Sequence, residues 1–257
     1  MKTVKLGGHD VVLYNSIDEL PMERFHRYNK MLLVDAGVGS DINDFDTHIE
    51  RVVRYIRKGD NENGAKELDN LRQNVYLIMS EQSVHDMSFA CLVRSIDGEP
   101  CDDISEEGLT AILKRLGGVP RREMTDALQS VKKKIDDELS LYFPDIFDDV
   151  EVREYYDIMK RRTLAVLDNI IHGESEERNK AIEDLTERMV LYSKPKVFSG
   201  HKSVEIEHDK NFESICLTIQ SETHADAKRM TVLEFYNAYE YLRKMAKERQ
   251  KLAAKRK

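Results

Sequence analysis

The sequence predicts a mainly α fold: a multi-helix body with a short N-terminal β-hairpin and a basic C-terminal helix. Three observations predict it. Apolar residues recur at three- and four-residue spacing over most of the chain, the pattern of helices that each bury one face. Twelve glycines and five prolines in 257 residues are too few for a sandwich or barrel that turns every ten residues. Charged residues make up 34% of the chain, yet Leu, Ile, Val, Met, Phe and Tyr recur throughout, so the material for a core is present and wholesale disorder is excluded.

The hairpin is read from two β-prone runs, residues 3–6 and 11–14, on either side of Gly7-Gly8-His9-Asp10. A lone hairpin is marginal in water, so this one is expected to lean on the helical body or on another chain. Ser16-Ile17-Asp18-Glu19 reads as a capping box, with Pro21 at a helix-start position. Met22, Phe25, Asn29, Leu32, Leu33 and Ala36 then step along one helical face, which Gly37-Val38-Gly39-Ser40 ends. Asp41 is a cap for the next helix, whose apolar face is Phe45, Ile49, Val52, Val53 and Ile56; residues 58–64 follow as a polar loop. Leu68, Leu71, Val75 and Ile78 begin a longer helix, extended through Phe89, Leu92 and Ile96 to a break at Asp97-Gly98-Glu99-Pro100.

Ser105 caps a short helix carrying Leu109, Ile112, Leu113 and Leu116, closed by Gly117-Gly118. Pro120 opens the most regular helix, with Met124, Leu128, Val131, Ile135, Leu139 and Tyr142 on one face. Phe143-Pro144 ends it, because proline disfavours helix in the residue before it. Val152, Tyr155, Met159, Val166, Leu167 and Ile170 define a helix ending near Gly173, and Ile182, Leu185, Met189 and Tyr192 one ending before Pro195. Val197-Phe198 and residues 204–207 fit short strands or an ordered loop, and residues 212–219 fit either strand or helix. The last helix places Val232, Phe235, Tyr239, Leu242 and Met245 on one face. The chain divides into the hairpin (1–15), a helical body (16–194) and a C-terminal segment ending in the basic helix (195–257).

Charge is unevenly divided. Arg243, Lys244, Lys247, Arg249, Lys251, Lys255, Arg256 and Lys257 face a single acid, Glu248, over the last fifteen residues, so that segment carries +7 and the remaining chain −15 of the total −8. On a helix, Lys244, Lys247, Lys251 and Lys255 form a positive stripe along one side. These eight cations are the candidate partner-binding residues, suited to an acidic protein surface. Nucleic acid is the less favoured partner: no aromatic residue follows Tyr241 for base stacking, and the net charge opposes non-specific attraction.

Catalytic and cofactor motifs are missing. Gly37-Val38-Gly39-Ser40-Asp41 follows a helix and lacks the ending of a phosphate loop. Residues 41–48 place Phe45 and Asp46 where a calcium loop needs a ligand and a glycine. None of the eight histidines sits in H-E-x-x-H, no G-x-S-x-G occurs, and Cys91, Cys101 and Cys216 form no C-x-x-C pair and read as buried or incidental thiols. The expectation is a non-enzymatic protein with no cofactor and no metal. No run approaches ~18 consecutive apolar residues, and the first residues lack a secretory apolar stretch, so no membrane partner is expected.

Four widely spaced segments carry a resemblance. They are Leu20-Pro21-Met22-Glu23-Arg24-Phe25-His26-Arg27-Tyr28-Asn29-Lys30, Asp35-Ala36-Gly37-Val38-Gly39-Ser40-Asp41, Lys134-Ile135-Asp136-Asp137-Glu138-Leu139 with Tyr142-Phe143-Pro144, and Met230-Thr231-Val232-Leu233-Glu234-Phe235-Tyr236. Together the chain resembles an uncharacterised family of tailed-bacteriophage proteins from Bacteroides-type hosts, similar to virion or tail-assembly-chaperone proteins. The resemblance implies a structural or assembly role through contacts with other phage structural proteins or with further copies of itself. It also implies residence in the host cytoplasm during assembly, or in the virion. A scaffolding-like protein and a nucleic-acid-binding accessory protein are the alternatives.

Overall fold

The computed structural model describes residues 1–80, 83–147 and 150–254. It is mainly α, with eleven α-helices among the described residues and one small antiparallel sheet. Strand β1 (Lys2–Leu6) turns into β2 (His9–Leu13) through Gly7-Gly8 alone, both at positive φ, the conformation a two-residue hairpin turn requires. The turn is thus two residues shorter than the sequence pattern suggested, and His9 and Asp10 pair within the strand.

The hairpin does lean on the body, and it does so as part of a larger sheet. The long helix expected from Leu68 to Ile96 is three elements: α3 (Asn61–Ile78), α4 (Val84–Leu92) and strand β3 (Val93–Ile96). β3 pairs with β2 (Val11 opposite Ile96) and with the two-residue β4 (Glu99–Pro100), giving the order β1-β2-β3-β4. Asp97-Gly98, at φ 53° and 82°, is a tight hairpin turn rather than a simple helix breaker. Arg24 holds the helix-to-strand switch. Its buried guanidinium donates to the carbonyls of Cys91 (3.2 Å), Val93 (3.1 Å) and Cys101, so carbonyls freed where α4 ends are satisfied without continuing the helix.

Ser16 does not cap a helix. Residues 16–20 form a turn, the Ser16 hydroxyl donates to Glu138 at 2.9 Å, and α1 (Met22–Gly37) starts after Pro21. Asp41 caps α2 (Ile42–Arg57) in a reciprocal box with Asp44. Asp60 caps α3, so residues 61–64 of the expected loop are the first helical turn. Helix α5 (Glu106–Arg115) has Ser105 at its cap, and α6 (Arg121–Tyr142) follows Pro120 and ends at Phe143, as the pattern predicts. After the four-residue α7 (Pro144–Phe147) come α8 (Val150–His172) and α9 (Glu176–Val190). The obscure stretch resolves as helix: α10 runs Val204–Thr223, removing the strand option there, while Val197-Phe198 is irregular and Phe198 is buried. The last helix, α11, runs Val232–Ala254.

The principal core gathers the inner sheet face (Leu6, Val11, Leu13, Val93, Ile96) with α1, α4, α5, α6, α10 and the first turns of α11. Helix α4 is buried nearly all round, which explains its lack of a polar face. Leu128, Val131, Ile135 and Leu139 of α6 are buried as a seam. The start of α11 is fastened to the N-terminal segment: Met22 N–H donates to the Met230 carbonyl (2.8 Å) and Val232 N–H to that of Leu20 (2.9 Å). Among the described residues, helices α2, α3, α8 and α9 contribute none to this core. They form a lateral layer, α2 packed on α3 and α8 on α9, with α2 touching α9.

Candidate functional site

The basic helix is where the sequence placed it. Helix α11 buries Val232 and Phe235, and from Ala246 to Leu252 every residue is exposed. Lys244, Lys247, Arg249 and Lys251 are exposed and Arg243 is half-buried, its guanidinium 5.8 Å from the centre of the Tyr239 ring. Lys255, Arg256 and Lys257 lie outside the described residues. Two cations have acids nearby, Lys244 with Glu240 at 3.4 Å and Arg249 with Glu222 of α10 at 3.8 Å, both on the surface. The described cations therefore form an exposed charged rod end, not a cleft.

The lateral layer presents a second feature that the sequence reading placed in the core. On α2, the buried positions are His48 and Tyr55; Ile42, Ile49, Val53 and Ile56 form an exposed stripe instead. Phe45 and Val52 are half-buried at the edge. On α3, Leu68, Val75 and Ile78 face solvent, while Gly64, Glu67, Asn70 and Asn74 are buried. On α8, Leu164, Leu167, Ile170 and Ile171 are exposed, the last two at 72%, and α9 buries no residue. Helices α2 and α3 are thus inverted, polar side in and apolar side out, and exposed apolar residues that recur along one helix face mark a contact surface.

Their polar interior is built around Glu67. It accepts from His48 Nδ1 at 2.8 Å and pairs with Arg51 at 3.3 Å, while His48 Nε2 donates to the Val38 carbonyl at 2.8 Å. Asn74 donates to the same carbonyl at 3.0 Å and Asn70 to that of Lys196 at 3.0 Å. Burial opposes the His48 cation, but the bonds to Glu67 and Val38 outweigh it and hold the imidazole above its ordinary range. The spacing of His48 and Glu67 on separate helices left no local signal of this pairing.

His26, His208 and Asp209 also meet, bringing three metal-binding side chains within 4.8 Å of one another. His26 Nε2 lies 2.9 Å from Asp209 Oδ1, and Lys30 Nζ donates to Oδ2 at 2.6 Å. The His26 ring is sandwiched between His208 (4.4 Å, 9° from parallel) and Phe212 (3.9 Å, 10°). Imidazole binds a metal through a lone pair in its own plane, at about 2.0–2.1 Å. Two stacked parallel rings do not aim those lone pairs at one ion, and the Lys30 ammonium already neutralises the carboxylate. The arrangement is an interhelical lock between α1 and α10. Burial lowers the pKa of both histidines, with the neighbouring His26 charge adding to the effect at His208.

Nothing else assembles a reacting centre among the described residues. Cys91, Cys101 and Cys216 are free and buried, and burial pushes the Cys91 thiol up to about 12, far from a reactive thiolate. A recess of about 780 Å³ is lined in part by Lys58, Asp157, Arg161 and Glu187, which pair among themselves: Lys58 with Glu187 at 2.5 Å and Arg161 with Asp157 at 2.7 Å. No helix among the described residues is long and apolar enough to cross a membrane. No family model, curated protein or solved structure matches the chain.

Proposed function

We propose that the chain is a non-enzymatic bacteriophage structural or assembly protein, a virion component or tail-assembly-chaperone-like protein, acting through protein–protein contacts. The observation that carries the reading is the lateral layer outside the principal core: α2, α3 and α8 turn apolar residues to solvent, and α2 and α3 keep polar residues inside. Such surface is costly in an isolated protein and is accounted for when another chain covers it. The basic end of α11 supplies a second, electrostatic contact for an acidic partner surface, governing encounter rate and partner choice more than affinity. The phage setting comes from the resemblance of the four sequence segments, and the scaffolding-like role is the nearest variant of it.

The test is particle assembly in cells expressing the surrounding gene set with either the natural chain or variants at exposed positions. Ile49→Glu with Ile56→Glu on α2, and separately Leu164→Glu with Leu167→Glu on α8, leave the principal core untouched. The expected result is fewer complete particles with an unchanged circular-dichroism spectrum and unfolding midpoint. Full particle yield from all of these variants together overturns the reading.

A further inference from the structure

Helix α1 carries two arginines on neighbouring positions of its inner side, and they end differently. Arg24 donates to the carbonyls of Cys91, Val93 and Cys101. Arg27, three residues on, is half-buried; its Nε is cut off from solvent without a partner, and the guanidinium makes no hydrogen bond or ion pair among the described residues. Every other buried or half-buried arginine among the described residues has an acceptor or an aromatic ring. The Cys91 thiol is near enough to feel the Arg27 charge but is no counter-ion, since burial pushes it up to about 12 and keeps it neutral. A guanidinium withdrawn from water ordinarily holds a carboxylate or a carbonyl, so an orphaned one marks a place filled from outside the chain.

Arg27 lines a recess of about 560 Å³ bounded by α1, α3, α4, α5 and α10. Met31 and Val34 follow Arg27 along the same face of α1, and Val84 and Met87 of α4 add to the apolar wall. The size and the mostly apolar lining with few polar groups are those of a small-molecule site. The other cation of the recess, Lys30, is already held by Asp209 at 2.6 Å and by Glu205 at 3.9 Å. Glu106 also lines it, is exposed, and pairs with no cation among the described residues.

We propose that this recess binds a small aliphatic monocarboxylate, its carboxylate on Arg27 and its chain against Met31, Val34, Val84 and Met87. The planar fork of the guanidinium matches the two oxygens of a carboxylate. One unmatched cation calls for one negative charge, while Glu106 and Glu205 repel a nucleotide or any other polyanion. The apolar wall takes a hydrocarbon chain out of water, and the two flexible methionines adapt to its shape. The inference is independent of the assembly reading, which concerns the outward faces of α2, α3 and α8.

The test is isothermal titration calorimetry of the full chain with octanoate below its micelle-forming concentration. Octanol supplies the tail without the charge, and acetate the charge without the tail. Saturable one-to-one binding of octanoate is expected, with octanol and acetate each weaker by about tenfold or more. Arg27→Gln should weaken octanoate about tenfold or more, the usual strength of a hydrogen bond to a charged group. Glu106→Gln, a change at an exposed position, should strengthen it roughly 2- to 5-fold by removing a like charge. Octanoate should also raise the urea midpoint of the natural chain and not that of Arg27→Gln. No saturable binding to the natural chain overturns the site, as does octanol bound as tightly as octanoate or an unchanged affinity in folded Arg27→Gln. If Arg27→Gln does not fold, Glu106→Gln decides: an affinity that stays level or falls overturns the placement of the carboxylate in this recess.

Discussion

His48 donates a 2.8 Å hydrogen bond from Nδ1 to Glu67, a carboxylate with no exposed surface, and so joins α2 to α3 through a buried charge pair. With the second ring nitrogen donating to the Val38 carbonyl, both nitrogens face acceptors, which is the hydrogen-bonding of an imidazolium. Two helices with apolar outer faces are thus held together by a polar inner one. Packing of this kind has register, because a charge pair fits at one offset only.

Removing one member of the pair strands the others. Glu67→Ala leaves His48 and Arg51 without their buried counter-charge and should cost about 3–5 kcal/mol, the usual penalty for an uncompensated buried charge. Urea unfolding measures it. A loss near zero would mean that water already serves the site.

The histidines should give stability opposite dependences on pH. The His48 pKa is raised by folding from 6.5, so its contribution is fully present below that value and is lost as pH rises through the folded pKa. His26 and His208 are lowered from 6.5, so theirs is present above 6.5 and is lost as pH falls through their folded pKa values. Chemical denaturation across the range checks both. His48→Gln should flatten the alkaline side of the stability profile, and His26→Gln with His208→Gln should flatten the limb just below pH 6.5. Unchanged slopes would show that these groups do not carry the dependence.

Ile135 sits at the centre of the α6 seam with no exposed surface. Ile135→Ala should cost roughly 2–5 kcal/mol, the transfer term plus the cavity it leaves. A shift in the urea midpoint worth under about 1 kcal/mol would show that the surrounding side chains collapse into the space.

The α6 seam from Leu128 to Leu139 was legible because its spacing is regular and its face apolar, and the same holds for α5 and the start of α11. Helix α1 was legible only in part, since it buries Arg24 and Tyr28 and exposes Ala36, and Tyr142 at the end of α6 is exposed. Reading failed where the apolar face and the buried face differ. Ile49, Val53 and Ile56 look like core and are surface, because the inward positions of α2 are filled by residues whose partners lie on other helices. The helix-to-strand switch at Val93 was also missed, although Asp97-Gly98 carried the signal of a tight hairpin. That signal has meaning only once β2 is known to be the neighbouring strand, and about 80 residues separate them. The candidate cations of α11 were legible as composition, and their exposure followed from the fading apolar stripe.

Deleting residues 247–257 should move the unfolding midpoint little, because the described part of that segment is exposed and its one cross-helix ion pair, Arg249 with Glu222, is a surface pair. The same deletion should slow association with an acidic partner, and the difference should shrink as salt rises. Lys247→Glu with Lys251→Glu should act in the same direction without loss of helix content. A sharp drop in midpoint would instead make the segment an intramolecular clasp.

The pairing of β2 with β3 also sets a schedule for biosynthesis. Val11 leaves the ribosome about 85 residues before its partner Ile96. At ordinary synthesis rates of about 5–20 residues per second, the hairpin waits roughly 4–17 s for its third strand. Through that interval the open edge of β2 is a template for any other extended chain, and a bare two-stranded hairpin is only marginally stable. Helices α1, α2 and α3 emerge in between, and local contacts form quickly, so these helices form before the sheet closes. The order of folding thus departs from the order of synthesis: the first residues made wait for neighbours made much later.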